Sequence, residues 1–123
     1  GDQSKGGDSS TVASSLRSGV KSIATTDKAY SAVMEDGTIV TWGDLYSGGK
    51  KPGSIPPVDY VRGTSRAFAA VTRAGKVVTW GYYKSGGDSS SIGQDSLRDI
   101  TAIHSSPNSF AAVQNFGQKM HIW

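Results

Sequence analysis

The sequence predicts an all-β chain with minor short helices, built as three tandem copies of one hairpin-centred repeat. Three observations predict it. The stretch Ala29 to Gly43 (Ala-Tyr-Ser-Ala-Val-Met-Glu-Asp-Gly-Thr-Ile-Val-Thr-Trp-Gly) returns as Ala67 to Gly81 and, worn down, as Ser109 to Trp123. The intervals repeat as well: ten residues separate Val20, Val58 and Ile100 from Tyr30, Phe68 and Phe110, and seven separate those aromatics from Gly37, Gly75 and Gly117. Finally, the chain of 123 residues holds 16 glycines and only 36% hydrophobic residues, a composition suited to short strands joined by tight turns. Self-similarity at a fixed period marks an array of units that bury themselves only against one another. The chain reads as one repeat domain, 1–123, with repeats 1–42, 43–80 and 81–123.

Taken in order, Gly1 to Ser10 matches Gly81 to Ser90, and its first part also matches Gly43 to Gly49. In the inner copies this glycine-rich segment follows the tryptophan, so a preceding repeat is expected upstream of Gly1. The Asp-Ser-Ser runs at Asp8 and Asp88 then read as helix N-caps, followed by one or two turns ending in Leu16-Arg17 and Leu97-Arg98. The middle copy has Pro52, Pro56 and Pro57 here and is expected to be an extended loop, since proline lacks the donor a helix needs. A short strand follows in each copy: Val20–Ala24, Val58–Arg62 and Ile100–His104.

The hairpins come next, with Gly37, Gly75 and Gly117 where a tight turn calls for positive φ. Their strands are apolar on both faces, as in Ala32-Val33 against Ile39-Val40, which is the pattern of sheets packed between layers. Alanines at Ala32 and Ala70 point to close approach of the neighbouring layer. The third copy aligns without a gap, putting Ile122 in the tryptophan column, or with one inserted residue, putting Trp123 there. The ungapped alignment is preferred. Lys119 and His121 stand where the sister copies are apolar, which reads as the polar drift of a terminal cap.

Composition narrows the function. The formal charge is +3, and the thirteen Lys and Arg are scattered, which argues against nucleic acid as a partner. The chain has no cysteine, so disulfides and thiolate metal sites are excluded. No apolar run approaches the ~20 residues that span a bilayer.

The residues Ile23 to Gly49, Val61 to Gly87 and, more weakly, Ile103 to Trp123 resemble the repeat of the regulator of chromosome condensation family. They share its short strand, an aromatic-x-Ala-Val segment, Asp-Gly, Val-x-Trp-Gly and a glycine-rich loop. The Gly-Gly-Asp-Ser-Ser loops look like repeats found in large bacterial surface or secreted proteins and in some protist proteins; of these, a secreted or cell-surface bacterial protein is the preferred expectation. The resemblance implies blades of a β-propeller, here a propeller-like partial array. This repeat, near 40 residues, is shorter than the family's 50 or so, so a fourth strand per blade is not expected. Three blades are also too few for a closed ring of ~4–8. Missing repeats, self-association or a different threefold closure would protect the ends. A compact pseudo-threefold β-trefoil-like or β-prism-like domain is the alternative.

The chemistry-bearing residues form no catalytic constellation. His104 and His121 stand outside any metal spacing, and Gly6-Gly7 and Gly86-Gly87 lack the Lys-Ser/Thr of a phosphate loop, so they read as turns. No enzyme activity and no cofactor is expected. Trp42 and Trp80 recur in register and read as packing residues. The loops after them differ, and Tyr46, Tyr82, Tyr83 and Lys84 are the candidate binding residues, because tyrosine anchors interfaces and loops on a rigid scaffold carry binding. The resulting reading is a non-enzymatic module for protein interaction or scaffolding, a fragment of a larger repeat protein or a self-associating unit. Its partners are another protein or further copies of the repeat, as in a homo-oligomer. The alternative is a carbohydrate-binding threefold domain with tyrosines stacked on sugars.

Overall fold

The structure, a computed structural model, describes residues 19–53, 55–89, 98–114 and 119–123. Among these residues nine strands fall into three antiparallel sheets of three, each made within one repeat: β1 Val20–Thr25, β2 Ala29–Met34 and β3 Ile39–Gly43; β4 Val58–Gly63, β5 Ala67–Thr72 and β6 Val77–Gly81; β7 Ile100–Ser105, β8 Phe110–Gln114 and β9 Lys119–Ile122. No fourth strand joins any of these sheets among the described residues. The expected helices after Asp8 and Asp88 lie outside them. The middle copy's proline segment has no regular structure, as its three prolines dictate.

The sheets are copies down to their irregularities. In each, the register of the first strand slips at the same place, between Val20 and Ser22, Val58 and Tyr60, and Ile100 and Ala102. Lys21, Asp59 and Thr101 are thus equivalent bulge residues, and one extra residue there bends the strand and increases its twist. Gly37 and Gly75 adopt the left-handed conformation expected of them, with φ of 88° and 80°; Gly117 lies outside the described residues.

Each sheet is a blade with two faces, and the blades stack. The back face of blade 1 (Ala29, Val33, Ile39) packs on the front face of blade 2 (Val58, Val61, Phe68, Ala70, Trp80). The back face of blade 2 (Ala67, Ala69, Val71, Val77) packs in the same way on the front face of blade 3 (Ile100, Ile103, Phe110, Ala112). β5, in the middle of the middle blade, is buried along its whole length. Ala29, Ala67, Ala69, Ala70 and Ala112 are buried at these junctions, where the small side chain lets sheets approach; Ala32 is buried too, but on the front face of blade 1. Ser31 takes the position of Ala69 and Ala111, and its buried hydroxyl has no hydrogen-bond partner.

Backbone hydrogen bonds tie successive blades together. Val58 N donates to Gly37 O and Ile100 N to Gly75 O, both at 2.9 Å. Asp27 N donates to Ser65 O and Ser65 N to Pro107 O, also at 2.9 Å. The Tyr60 hydroxyl accepts from Ile103 N at 2.7 Å across the second junction. Packing runs from blade 1 to blade 2 to blade 3, which is a stacked-blade array; the compact threefold alternative is set aside.

The third copy needs two corrections. Ala112 pairs with His121 where Ala70 pairs with Val78, and Phe110 exchanges both backbone hydrogen bonds with Trp123. Trp123 therefore holds the tryptophan column, and the hairpin carries one inserted residue. The ungapped alignment anchored on Gly117 fails because the tryptophan, not the turn, is fixed by contacts: Trp123 Nε1 donates to Gly86 O at 3.0 Å, as Trp80 Nε1 does to Gly48 O at 3.1 Å. The terminal-cap reading fails with it. Lys119 pairs with Gln114 at the hairpin end, in the polar column of Thr38 and Lys76. His121 replaces Val40 and Val78, but on the front face toward blade 2, where it hydrogen-bonds Gln114 at 3.1 Å. The outward back face stays apolar.

Candidate functional site

The glycine-rich loop after each tryptophan is a tight turn. Leu45–Ser47 and Tyr83–Ser85 form single 3-10 turns, closed by Gly48 and Gly86 in the left-handed conformation (φ 98° and 95°). A Cβ on either glycine would lie 2.5 Å from the ring of the next blade's aromatic, Phe68 or Phe110. The second glycine is also forced, since a Cβ on Gly49 or Gly87 would strike the carbonyl of Gly43 or Gly81 at 2.4 Å. Threonines fasten the turns from beneath: Thr26 Oγ1 donates to Ser47 O at 2.8 Å and Thr64 Oγ1 to Ser85 O at 2.6 Å. The tryptophan of the following blade caps each turn from the side. The Gly-Gly pair is thus spent on packing, in keeping with its reading as a turn.

These rigid turns project large side chains outward. Tyr46 is 83% exposed and Tyr83 63%, and Leu45 and Lys84 are exposed with them. Position by position, Leu45 matches Tyr83 and Tyr46 matches Lys84, so neighbouring blades present the same two rim positions. Tyr82 is half-buried, edge-on to Tyr83 at 5.2 Å, and lies beneath the Arg66 guanidinium at 5.6 Å; Lys84 Nζ lies 5.8 Å from the Tyr83 ring. The structure thus groups Tyr82, Tyr83 and Lys84 on the turn of blade 2 and sets Tyr46 on that of blade 1. Arg66 was not legible in the sequence, because it comes from the β4–β5 turn and reaches Tyr82 only through the fold.

A second surface was also missed. A shallow cleft of about 310 Å3 is lined by Thr25, Thr26, Asp27, Thr64, Ser65 and Ser106 with their neighbours, drawn from the equivalent first turn of each blade. Its signal was the recurrence of hydroxyl residues at 26, 64 and 106. Several of these hydroxyls are engaged within the protein: Thr26 and Thr64 hold the rim turns, Ser65 Oγ donates to Pro107 O at 2.7 Å, and Ser106 bonds Ser109.

Among the described residues, Tyr60 and Asp36 have displaced acidities. Burial raises the Tyr60 phenol above its ordinary value, with the Ile103 N–H and the Arg62 guanidinium, 4.6 Å from the ring centre, opposing. Hydrogen bonds from the Thr38 N–H and hydroxyl lower the exposed Asp36 carboxyl. Both fit structural roles, one at a blade junction and one in a hairpin turn. Among the described residues no three His, Cys, Asp or Glu gather to hold a metal, and no helix is long and apolar enough to cross a membrane.

Stacked three-stranded blades with turns presented at a rim define a propeller-like repeat protein. Solved propeller structures superpose on the chain. It is similar to Prp20p from Saccharomyces cerevisiae, studied with its binding to Gsp1p and histones, at 16% identity, TM-score 0.64, over 85% of this chain and 30% of that one. It is similar to human WBSCR16 at 18% identity, TM-score 0.63, over 85% and 34%. Yeast RCC1 (Prp20) bound to Kap60 matches at 16% identity, TM-score 0.56, over 78% and 28%. The chain spans about a third of the length of these proteins. No family model and no curated protein matches its sequence. The likeness at this identity establishes the fold: three blades of the propeller kind.

Proposed function

We propose that the chain is a non-enzymatic protein-interaction module of the RCC1-like kind, which offers the outer turns of its blades to a protein partner. The observation that carries this reading is the exposure of Tyr46 and Tyr83 on turns locked by two glycines, a threonine and the next blade's tryptophan. Large aromatic side chains in a fixed frame lose little entropy on binding and supply area, which is how interface anchors work. Lys84 and Arg66 add positive charge beside them. The fold supports the reading too, since Prp20p, the yeast RCC1, is described by its binding to Gsp1p and histones and in a complex with Kap60. The carbohydrate reading depended on a compact threefold domain, and the chain stacks its blades instead.

A photo-crosslinking side chain placed at position 83, followed by mass spectrometry in an extract of the native source, tests the proposal. One protein partner should be captured, and the Tyr46→Ala/Tyr82→Ala combination should weaken its binding by roughly tenfold or more, as loss of anchors does. Equal binding by the wild type and the double variant would overturn it. So would a glycan array in which a sugar, and no protein, depends on these tyrosines.

A further inference from the structure

Arg66, Tyr82, Tyr83 and Lys84 form a row on the turn of blade 2. The Arg66 guanidinium lies 5.6 Å from the Tyr82 ring, that ring 5.2 Å from the Tyr83 ring, and the Tyr83 ring 5.8 Å from Lys84 Nζ. Two aromatic rings thus stand between two cations. The backbone beneath the row is fixed: Tyr82 N donates to Arg66 O at 2.9 Å and Ser85 N to Tyr82 O at 3.0 Å. Attraction to a ring face orders each cation without using up its N–H donors. Among the described residues no carboxylate pairs with Arg66 or Lys84. Blade 1 repeats the layout with Lys28 in the position of Arg66, its carbonyl accepting the N–H of Asp44 at 2.9 Å. The Asp44 carboxylate accepts from Ser47 Oγ at 2.8 Å and is engaged within its own turn. Asp27, the exposed acid beside Lys28, lines the hydroxyl cleft. Lys28, Lys50, Arg66 and Lys84 are all exposed, so the rim presents positive charge around apolar rings.

We infer that the rim of blade 2 takes an acidic peptide segment of its partner, with carboxylates on Arg66 and Lys84 and an apolar side chain on the Tyr83 ring between them. This rests on the rim reading above and names the chemistry of the partner. Charge complementarity selects the occupant. A basic segment would be repelled by the exposed cations, and a neutral one would leave them without counter-charges. The Arg66 guanidinium offers a planar fork that fits a carboxylate through two hydrogen bonds, whereas Lys84 acts as a point charge. An extended chain rises about 3.3 Å per residue, so about five residues reach along the row. The apolar contact on Tyr83 supplies affinity, and the two cations set register and reject the wrong charge. Because the cations face water, added salt weakens their share of the binding.

Fluorescence anisotropy with three labelled peptides tests it: Glu-Glu-Leu-Phe-Glu-Glu, its Gln counterpart Gln-Gln-Leu-Phe-Gln-Gln, and its Lys counterpart Lys-Lys-Leu-Phe-Lys-Lys. The acidic peptide should bind at least about tenfold more tightly than the neutral one, and the basic one should bind least. Binding of the acidic peptide should weaken as salt rises from about 0.05 M to about 0.5 M. The Arg66→Gln/Lys84→Gln combination should erase the preference for the acidic peptide. Its far-UV circular dichroism should match the wild type, because both side chains are exposed. Lys76→Gln, which removes an exposed cation in the β5–β6 hairpin, should bind like the wild type. Equal binding of the acidic and neutral peptides, preference for the basic one, or an unchanged preference in the double variant would each overturn the inference. If a protein is nevertheless captured by the crosslinker at position 83, the rim reading stands and only the acidic chemistry falls; if nothing is captured and no peptide binds, both fall.

Discussion

Tyr60 shows how one side chain can hold two blades. Its ring lies on the back face of blade 2, and its hydroxyl accepts the Ile103 N–H, an inner-edge donor of blade 3. Ser22 and Ala102 occupy the position in the other blades, so the bond is made once and has no substitute. Tyr60→Phe should cost about 1–2 kcal/mol in urea unfolding, the usual cost of leaving a buried donor unpaired. Burial of the phenol, which outweighs the opposing Ile103 N–H, gives a pH signature. The folded phenol ionises above the ordinary value of 10.0, so the unfolded chain gives up its proton first. The stability this supplies is complete below pH 10 and is lost as pH rises through the folded value. Wild-type stability should therefore fall more steeply above pH 10 than that of Tyr60→Phe, and equal slopes would remove Tyr60 from the junction. Single residues of this kind were poorly legible in the sequence. Tyr60 looked like one more strand tyrosine, since nothing along the chain reveals a partner forty-three residues away.

At the scale of the element, the post-tryptophan turn is the part whose sequence most directly states its structure. The pair Gly48-Gly49 recurs as Gly86-Gly87 because the first glycine must be left-handed and abut an aromatic ring, and the second must clear a carbonyl oxygen. Gly48→Ala should destabilise the chain by about 2–4 kcal/mol, combining left-handed strain with overpacking against Phe68. Gly53, with open space where its Cβ would stand, is the control; Gly53→Ala should change stability by less than about 0.5 kcal/mol. Equal effects would mean that the turn is not packed as described. The hairpins were legible for a similar reason: two apolar strands around a turn glycine form a local pattern, visible without knowing what lies opposite. The third hairpin was misread because its turn and its tryptophan gave conflicting anchors. Only the indole hydrogen bond to Gly86 decides between them, and that contact belongs to the tertiary structure.

For the whole molecule, stacking sets the order of stability. Blade 2 packs on a neighbouring blade through both faces, whereas among the described residues blades 1 and 3 each do so through one. The sequence made the array legible, since equal spacing in three copies implies one backbone repeated. The exposure of Val20 and Ile23 was not legible, because they read like the buried Val58 and Val61, and only position in the stack separates them. The candidate residues Tyr46, Tyr82, Tyr83 and Lys84 were singled out because they vary where the frame does not, whereas Arg66 and the hydroxyl cleft required the fold. If blades owe their stability to their neighbours, local opening should follow coverage. Native-state hydrogen exchange on the dilute chain measures this most directly. The amides of β5, paired with both β4 and β6, should be the slowest to exchange, and those of β1 and β9 the fastest among the strands. Equal protection in all three blades, or slowest exchange in blade 1, would contradict the account.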